Sequence, residues 1–391
     1  MSANNDTSII PARYVDISYL RGDVLENLKK FDNDQVIKFV IFPPAMQKRP
    51  PYSLPSEPSQ LDIDTVNRHG MYKGNVSGIG LYFVPNVRVR GSGYMVKDGM
   101  RIYGPDLIPD YVEKAIEDGN FEEIHNGTQR REVHVKDAAL ICNQGYLIYG
   151  HWLVDILPKA WVFFSHYGKI PDDMVFPFCD DTPEYGLEML STLFGLRRDR
   201  VLIYNNRLDD LCIERLVAPS QMHNNHIFHP AAARALSFVR DKILEQEQPK
   251  RSEYPERIYV SRQKFRHKTI SSRRFLDNEE ELIEIANSEG FEVIHPEDLS
   301  WPEQVRTFAS AKFIIGEAGS GMHNTLFSGS DAHVISICES QLQGTLAALL
   351  KQKITLIMQD HSYVKENTIH FHIDPAKFAK TINSIVKNYN L

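Results

Sequence analysis

Residues 312–327 read KFIIGEAGSGMHNTLF, and the order of residue types in this stretch decides the fold class. Phe313-Ile314-Ile315 is a short apolar run rich in β-branched residues, which predicts a buried strand. Glycines follow at positions 316, 319 and 321, and MHNTLFS then opens a helix. A buried strand that passes through a glycine loop into a helix is the repeating corner of a parallel α/β sheet. The glycines let a ligand approach the backbone, and the start of the helix favours an anion. The spacing is neither GxGxxG nor GxxxxGK[ST], so the dinucleotide fingerprint and the P-loop do not apply. Ser320 is not a nucleophile elbow either, because Ala318 stands where GxSxG needs glycine.

The same rhythm extends in both directions. RIYVSR (257–262), FEVIHP (291–296), HVISIC (333–338), KITLIM and IHFHID read as strands, and NEEELIEIANSEG (278–290) and WPEQVRTFASA (301–311) as helices. A last helix runs from Pro375 to Asn390. Earlier in the chain, VIKFVIFP (36–43), DAALIC (137–142), MVFPFC (174–179), RVLIY (200–204) and ERLVAPS (214–220) read as strands. Helices are expected over 149–168, kinked or restarted at Pro158, and over 183–196 and 229–246. Residues 46–60, rich in Pro and Ser, read as a loop, and Asp98-Gly99 inside an alternating stretch reads as a hairpin turn. The charged, non-periodic QEQPKRSEYPE (246–256) reads as a linker.

These elements predict an α/β protein of two doubly wound, Rossmann-like domains facing across a ligand cleft. The expected division is 1–245, the linker 246–256, a second domain over 257–375, and a helix over 376–391 returning to the first domain.

Composition narrows the functional classes. The chain has 391 residues, 44 basic against 51 acidic, for a net charge of −7. That balance argues against a nucleic-acid binder. No run of about 18 apolar residues and no signal-peptide pattern is present, and four cysteines lie far apart. Buried free thiols in a reducing cytoplasm are expected, with peripheral association at the inner face of a membrane left open.

Several groups could carry chemistry. Residues 250–275 hold nine basic and two acidic side chains. Arg262 falls at the carboxyl end of a strand, where open α/β sheets bind ligands, and with Arg274 it suits a phosphate. Asn278 and Glu281 have capping-box spacing, so Asn278 starts a helix and any ligand contact would be an added role. His151 and Asp155 are four apart on an otherwise apolar helix, GHWLVDILPK. Either could be a general base toward a hydroxyl, with Asp155 preferred because a carboxylate is already deprotonated at neutral pH. Glu339 follows directly after an apolar strand, where it could accept hydrogen bonds from a ligand. His223, His226 and His229 are spaced by three without an acid. His370, His372 and Asp374 lack a partner motif, and Asp62-Ile63-Asp64 lacks a preceding apolar strand. None of these is read as a metal site.

Four blocks in order, GHWLVDILPKAW, RIYVSR, RRFLDNEEEL and GFEVIHPEDLSWPEQVRTFASAKFIIGEAGSGMHNTLF, resemble glycosyltransferase family 61. Its bacterial members are often described as capsular polysaccharide biosynthesis proteins. The resemblance spans about 137–350 and implies a GT-B architecture, inversion at the anomeric carbon and no obligatory metal or other cofactor. The implied partners are a nucleotide-sugar donor, held mainly by the second domain, and a glycan or glycolipid acceptor. On that reading Arg262 and Arg274 face the diphosphate, and Gly319, Ser320, Gly321 and Asn324 form the loop beneath it. Glu317 and His323 are further polar contacts. The chain departs from many relatives in carrying Ala318 where they have His. Two other readings stay open: another α/β enzyme acting on a phosphorylated or dinucleotide ligand, such as an epimerase, and a noncatalytic subunit that binds sugar nucleotides or glycans.

Overall fold

The computed structural model describes residues 9–10, 13–16, 35–48, 50–70, 74–102, 106–107, 130–142, 144–246, 254–266, 274–338 and 341–389. The chain is a mixed α/β protein with several sheets. It divides into two units, one of 1–46 and 75–235, the other of 47–74 and 236–391.

In the second unit, six strands form a wholly parallel sheet. Arg257–Val260, Glu292–Ile294, Phe313–Glu317, His333–Ile337 and Lys353–Ile357 follow one another in the chain. In space the second lies outside the first, and the third, fourth and fifth continue on the other side, giving the order 2-1-3-4-5. Chain direction across the sheet therefore reverses between the first and third strands. In such open sheets that crevice is the ligand site. Alternate residues of each strand point to opposite faces. Ile258, Ile314 and Val334 on one face and Tyr259, Ile315 and Ile335 on the other are all buried, so both faces are covered. Helix Glu279–Ser288 contributes Leu282 and Ala286 to the second of these layers.

The first unit differs from the doubly wound expectation. Its eight-stranded sheet is mixed. The 12-residue strand Ile79–Arg90 pairs antiparallel with Ile37–Phe42, Tyr94–Lys97 and Asp209–Pro219. Arg131–Ala139 lies parallel to Asp209–Pro219, Arg13–Asp16 to Ile37–Phe42 and Ile9–Ile10 to Met100–Ile102, and Phe176–Cys179 and Val201–Tyr204 form a separate parallel pair. A strand's apolar pattern shows that it is buried but not the direction of its partner, so an alternating helix series was not enough to fix a parallel sheet. The expected hairpin is present: Asp98 and Gly99 both have positive φ, and Val96 pairs with Arg101 across the turn.

Two segments lie elsewhere than the sequence suggested. Helix Pro375–Tyr389, expected with the first domain, belongs to the second unit. Phe378, Ile382 and Val386 pack with Leu282, Ile315 and Ile337 in the core of the second. Residues 47–74, assigned with the first domain, also belong to the second unit. Tyr52–Ser53 adds the edge strand beside Lys353–Ile357. Asp62 then secures the segment from inside: it is fully buried, and Oδ1 accepts the Met358 N–H at 2.6 Å. Its Oδ2 accepts the Ser59 N–H at 2.8 Å and lies 3.4 Å from the buried Lys377 ammonium. The Asp62-Ile63-Asp64 string is thus a structural latch in its first member, while Asp64 bonds Gln60 on the surface. Most of the expected linker, 247–253, lies outside the described residues.

Cys142, Cys179 and Cys338 are buried and Cys212 half-buried, all as free thiols. None of the described helices is long and apolar enough to cross a membrane. Asp62→Ala removes one partner of a buried ion pair and strips the Met358 N–H of its acceptor. It is expected to destabilise the protein by about 3–5 kcal/mol, read as a lower urea midpoint.

Candidate functional site

Two clusters of charged and polar side chains are built one in each unit. The first begins with a helix that changes pitch. Tyr149–His151 is α-helical, Trp152–Ile156 forms a π turn, and Leu157–His166 is α-helical again. The Leu157 N–H reaches back five residues to the Trp152 carbonyl. Pro158 supplies the reason. It has no N–H for the Val154 carbonyl, and its ring would press on that carbonyl in a regular α turn, so the ladder widens just before it.

The π turn carries Asp155, whose neighbours Trp152, Leu153, Val154, Ile156 and Leu157 are all buried apolar residues. A carboxylate in such surroundings needs partners. Oδ2 meets Nδ1 of His151 at 2.5 Å, and Oδ1 meets Nε2 of His223. Burial pushes the Asp155 carboxyl up. The facing His223 imidazole and the hydrogen bonds from both histidines outweigh it and hold the group well below the usual carboxylate range. Burial pulls His151 down, but its bond to Asp155 and the carboxylate charge raise it above the ordinary 6.5. Exposure separates the three: the side chain of His151 is 29% exposed, against 4% for Asp155 and 7% for His223. Only His151 can meet a substrate while holding Asp155.

The backbone shapes the place where the His151 ring rests. Gly145 has φ +90°, and a Cβ there would lie 2.7 Å from Cγ of His151. Its carbonyl accepts the Ile148 N–H, and the Ile148 carbonyl accepts that of His151. Any other residue at 145 would displace the ring.

His223 arrives from a stretch that the sequence assigned to no strand or helix. His223–Asn224 and Ile227–Phe228 are a minimal hairpin, with Asn225 and His226 at positive φ in its turn. This hairpin follows the strand Asp209–Pro219, whose parallel neighbour Arg131–Ala139 precedes the His151 helix. Both histidines therefore leave the same carboxyl edge. His226 is pulled down to about 4 by burial and by His223. Lys159, one turn beyond Asp155 and buried, is pulled down to about 8 by burial against the opposing pull of Cys142, Asp155 and Asp106. The sequence reading singled out neither Lys159 nor any role for His223 beyond the histidine spacing. Among the described residues, no three His, Cys, Asp or Glu side chains are arranged to hold a metal ion.

The second cluster stands at the strand-order reversal of the parallel sheet. Arg262 follows the first strand, and Glu317 ends the third. Nη1 of Arg262 donates to Oε1 of the buried Glu317 at 2.6 Å and to the Ala318 carbonyl at 3.3 Å. Nη2 of Arg274 donates to the same carbonyl at 3.0 Å. Two guanidinium groups and the Glu317 carboxylate thus meet at the glycine loop, and the buried Glu279 accepts the Arg262 backbone N–H at 3.2 Å. The Arg262 head lies against Gly319, where a Cβ would sit 3.4 Å from Cζ. Gly321 has Pro296 and Val260 as close neighbours.

The loop continues differently from expectation. Ser320–Phe327 is a 3-10 helix, not an α-helix. Its middle is spent on side-chain bonds: Asn324 is fully buried and donates to Gln304 Oε1 at 2.9 Å and to the Gly321 carbonyl at 3.1 Å. Asn324 therefore braces the loop from behind. Ser320 and His323 are half-buried on the same segment. Asn278 makes no capping bond of its own. Its amide exchanges hydrogen bonds with the backbone of Ile373, at 2.8 and 3.2 Å. Glu339 lies outside the described residues.

Residues 149–335 match the family model described as Glycosyltransferase 61. The matched span opens at the helix of His151 and Asp155 and encloses His223, Arg262, Arg274 and the glycine loop. No curated protein matches the chain.

Because Glu317 is buried on Arg262, Arg262→Ala is expected to cost about 3 kcal/mol of stability through the orphaned carboxylate. Pairing Arg262→Met with Glu317→Gln should recover most of that loss in urea unfolding. In the double variant, nucleoside diphosphate affinity is expected to stay reduced by about 1.5–3 kcal/mol, the scale of a lost hydrogen bond to a charged group. Titration calorimetry with the diphosphate and the monophosphate measures it.

Proposed function

The chain carries a glycosyltransferase 61 region, and from this premise we propose an inverting transferase that moves a sugar from a nucleotide-sugar to a glycan or glycolipid acceptor. The GT-B organisation, a donor domain and an acceptor domain, is part of the proposal, as is a role in surface polysaccharide, capsule included, on the cytoplasmic side. The observation that carries the chemistry is the exposure gradient across His151, Asp155 and His223. Asp155 has both oxygens occupied inside the protein, so the proton-accepting atom is Nε2 of His151. Asp155 holds the tautomer with hydrogen on Nδ1 and stabilises the imidazolium once it forms.

The step is a single displacement. The acceptor hydroxyl gives its proton to Nε2 of His151 while its oxygen bonds to the anomeric carbon. The bond from that carbon to the diphosphate breaks, and its electron pair leaves with the phosphate oxygen. Charge growing on the diphosphate is met by Arg262 and Arg274 at the glycine loop. Guanidinium groups supply this without a metal, so metal independence belongs to the proposal.

The test is incubation with a panel of nucleotide-sugars and acceptors in EDTA, with product configuration read by NMR. Turnover with inversion is expected. A retained configuration, or activity lost in EDTA and restored by magnesium or manganese, would overturn the corresponding part of the reading. His151→Gln should lower kcat by on the order of 10² to 10⁴ with donor affinity unchanged. Asp155→Asn should lose a similar factor by fixing the wrong tautomer. The base must be unprotonated, and Asp155 raises its pKa. In wild type, kcat/KM should therefore fall as pH drops, with the midpoint of this acid limb above pH 6.5.

A further inference from the structure

We propose that His223 is the positioning residue of this site: it pins the Asp155 carboxylate so that His151 presents a free Nε2 lone pair. The kinetic consequence rests on the transferase reading, whereas the geometric claim does not.

Asp155 sits in a π turn among apolar side chains, so a single hydrogen bond would leave one oxygen unsatisfied and its side chain free to turn. His223 takes that second oxygen through Nε2. Its own ring is fixed by packing. The Phe228 ring lies 5.0 Å away, and His226 stacks on it at 6.1 Å. Nδ1 of His223 is buried and has no hydrogen-bond partner among the described residues. An Nδ1–H there would be an orphaned donor, so the ring keeps hydrogen on Nε2 and points it at Asp155. With Oδ1 held, Oδ2 stays on Nδ1 of His151 at 2.5 Å. The hairpin turn at Asn225 and His226 is what carries His223 inward. The charged and titratable groups acting on the pair are His151, His223 and His226 together with Lys159 on the helix.

An arrangement of this kind acts through another residue, and loss of such an outer partner typically costs 10- to 100-fold in activity. The experiment uses the full chain with His223→Phe, which keeps the ring packing and removes the donor, and His223→Gln, whose amide can donate to the same oxygen. Imidazole NMR reads the Nδ1–H of His151, and the pH profile of kcat/KM reads its function. In His223→Phe the His151 Nδ1–H signal should weaken or vanish. Its kcat should fall 10- to 100-fold with donor KM unchanged. The acid limb should move to lower pH, because an Asp155 carboxylate no longer held on Nδ1 raises His151 less. His223→Gln should restore most of the signal and the rate.

A folded His223→Phe with an unchanged His151 signal and pH profile would overturn the proposal, and so would a rate loss that tracks only a lower melting temperature. If His223→Phe does not fold, His223→Gln decides alone: loss of the His151 signal in that folded variant refutes the claim, and its retention supports it. If wild type turns over no donor, the transferase reading fails, and the NMR arm still decides the role of His223.

Discussion

A carboxylate buried in an apolar helix is the constraint on which the first unit's chemistry depends. Asp155 cannot stay charged beside Trp152, Leu153 and Ile156 unless its oxygens are taken. That requirement draws in one imidazole from the same helix and one from a hairpin 68 residues on. It also assigns the parts. The carboxylate that looked best as a base, being ionised at neutral pH, is too enclosed to act as one. The neighbouring histidine, half-open and raised by that same charge, has the free nitrogen. The pitch change before Pro158 and the bare backbone at Gly145 serve this arrangement, one by carrying Asp155 in a widened turn and the other by leaving room for the ring.

The second unit meets charge in a related way. Its glycine loop is not a bare cradle of N–H groups, because Glu317 sits beneath it and binds Arg262. The pair anchors the end of the third strand to the residues that follow the first, at the point where the strand order reverses. Arg274 adds a second guanidinium on the Ala318 carbonyl. Such a loop offers an anion guanidinium groups held in place by hydrogen bonds. This is less attraction than two free arginines would give, but with little rearrangement needed on binding.

Legibility in the sequence followed the range of the interaction. The helix with His151 and Asp155 could be read from a spacing of four, and the strand–loop–helix corner from a 16-residue stretch. Arg262 could be read from its place at a strand end. His223 could not be given its role, because its meaning is Asp155, and nothing near it in the chain is acidic. The one available signal was Asn225, a residue that tolerates the positive φ of a tight hairpin turn, and it was obscured by the histidine spacing. Asp62 was obscured in the same way: its partners are Met358 and Lys377, about 300 residues away.

The sequence by itself determined five strands of the second unit's main sheet, its parallel class, and the residues from which a base and an anion site could be built. Those properties follow from local periodicity and from side chains at strand ends. Only the tertiary structure decided that the first unit's sheet is mixed, that residues 47–74 and the last helix complete the second unit, and that both oxygens of Asp155 are taken by histidines. It also decided that Asn324 faces inward. Each of these depends on which distant backbone or side chain fills a vacant hydrogen bond or covers an apolar face. That choice is made by packing in three dimensions and leaves no periodic trace along the chain.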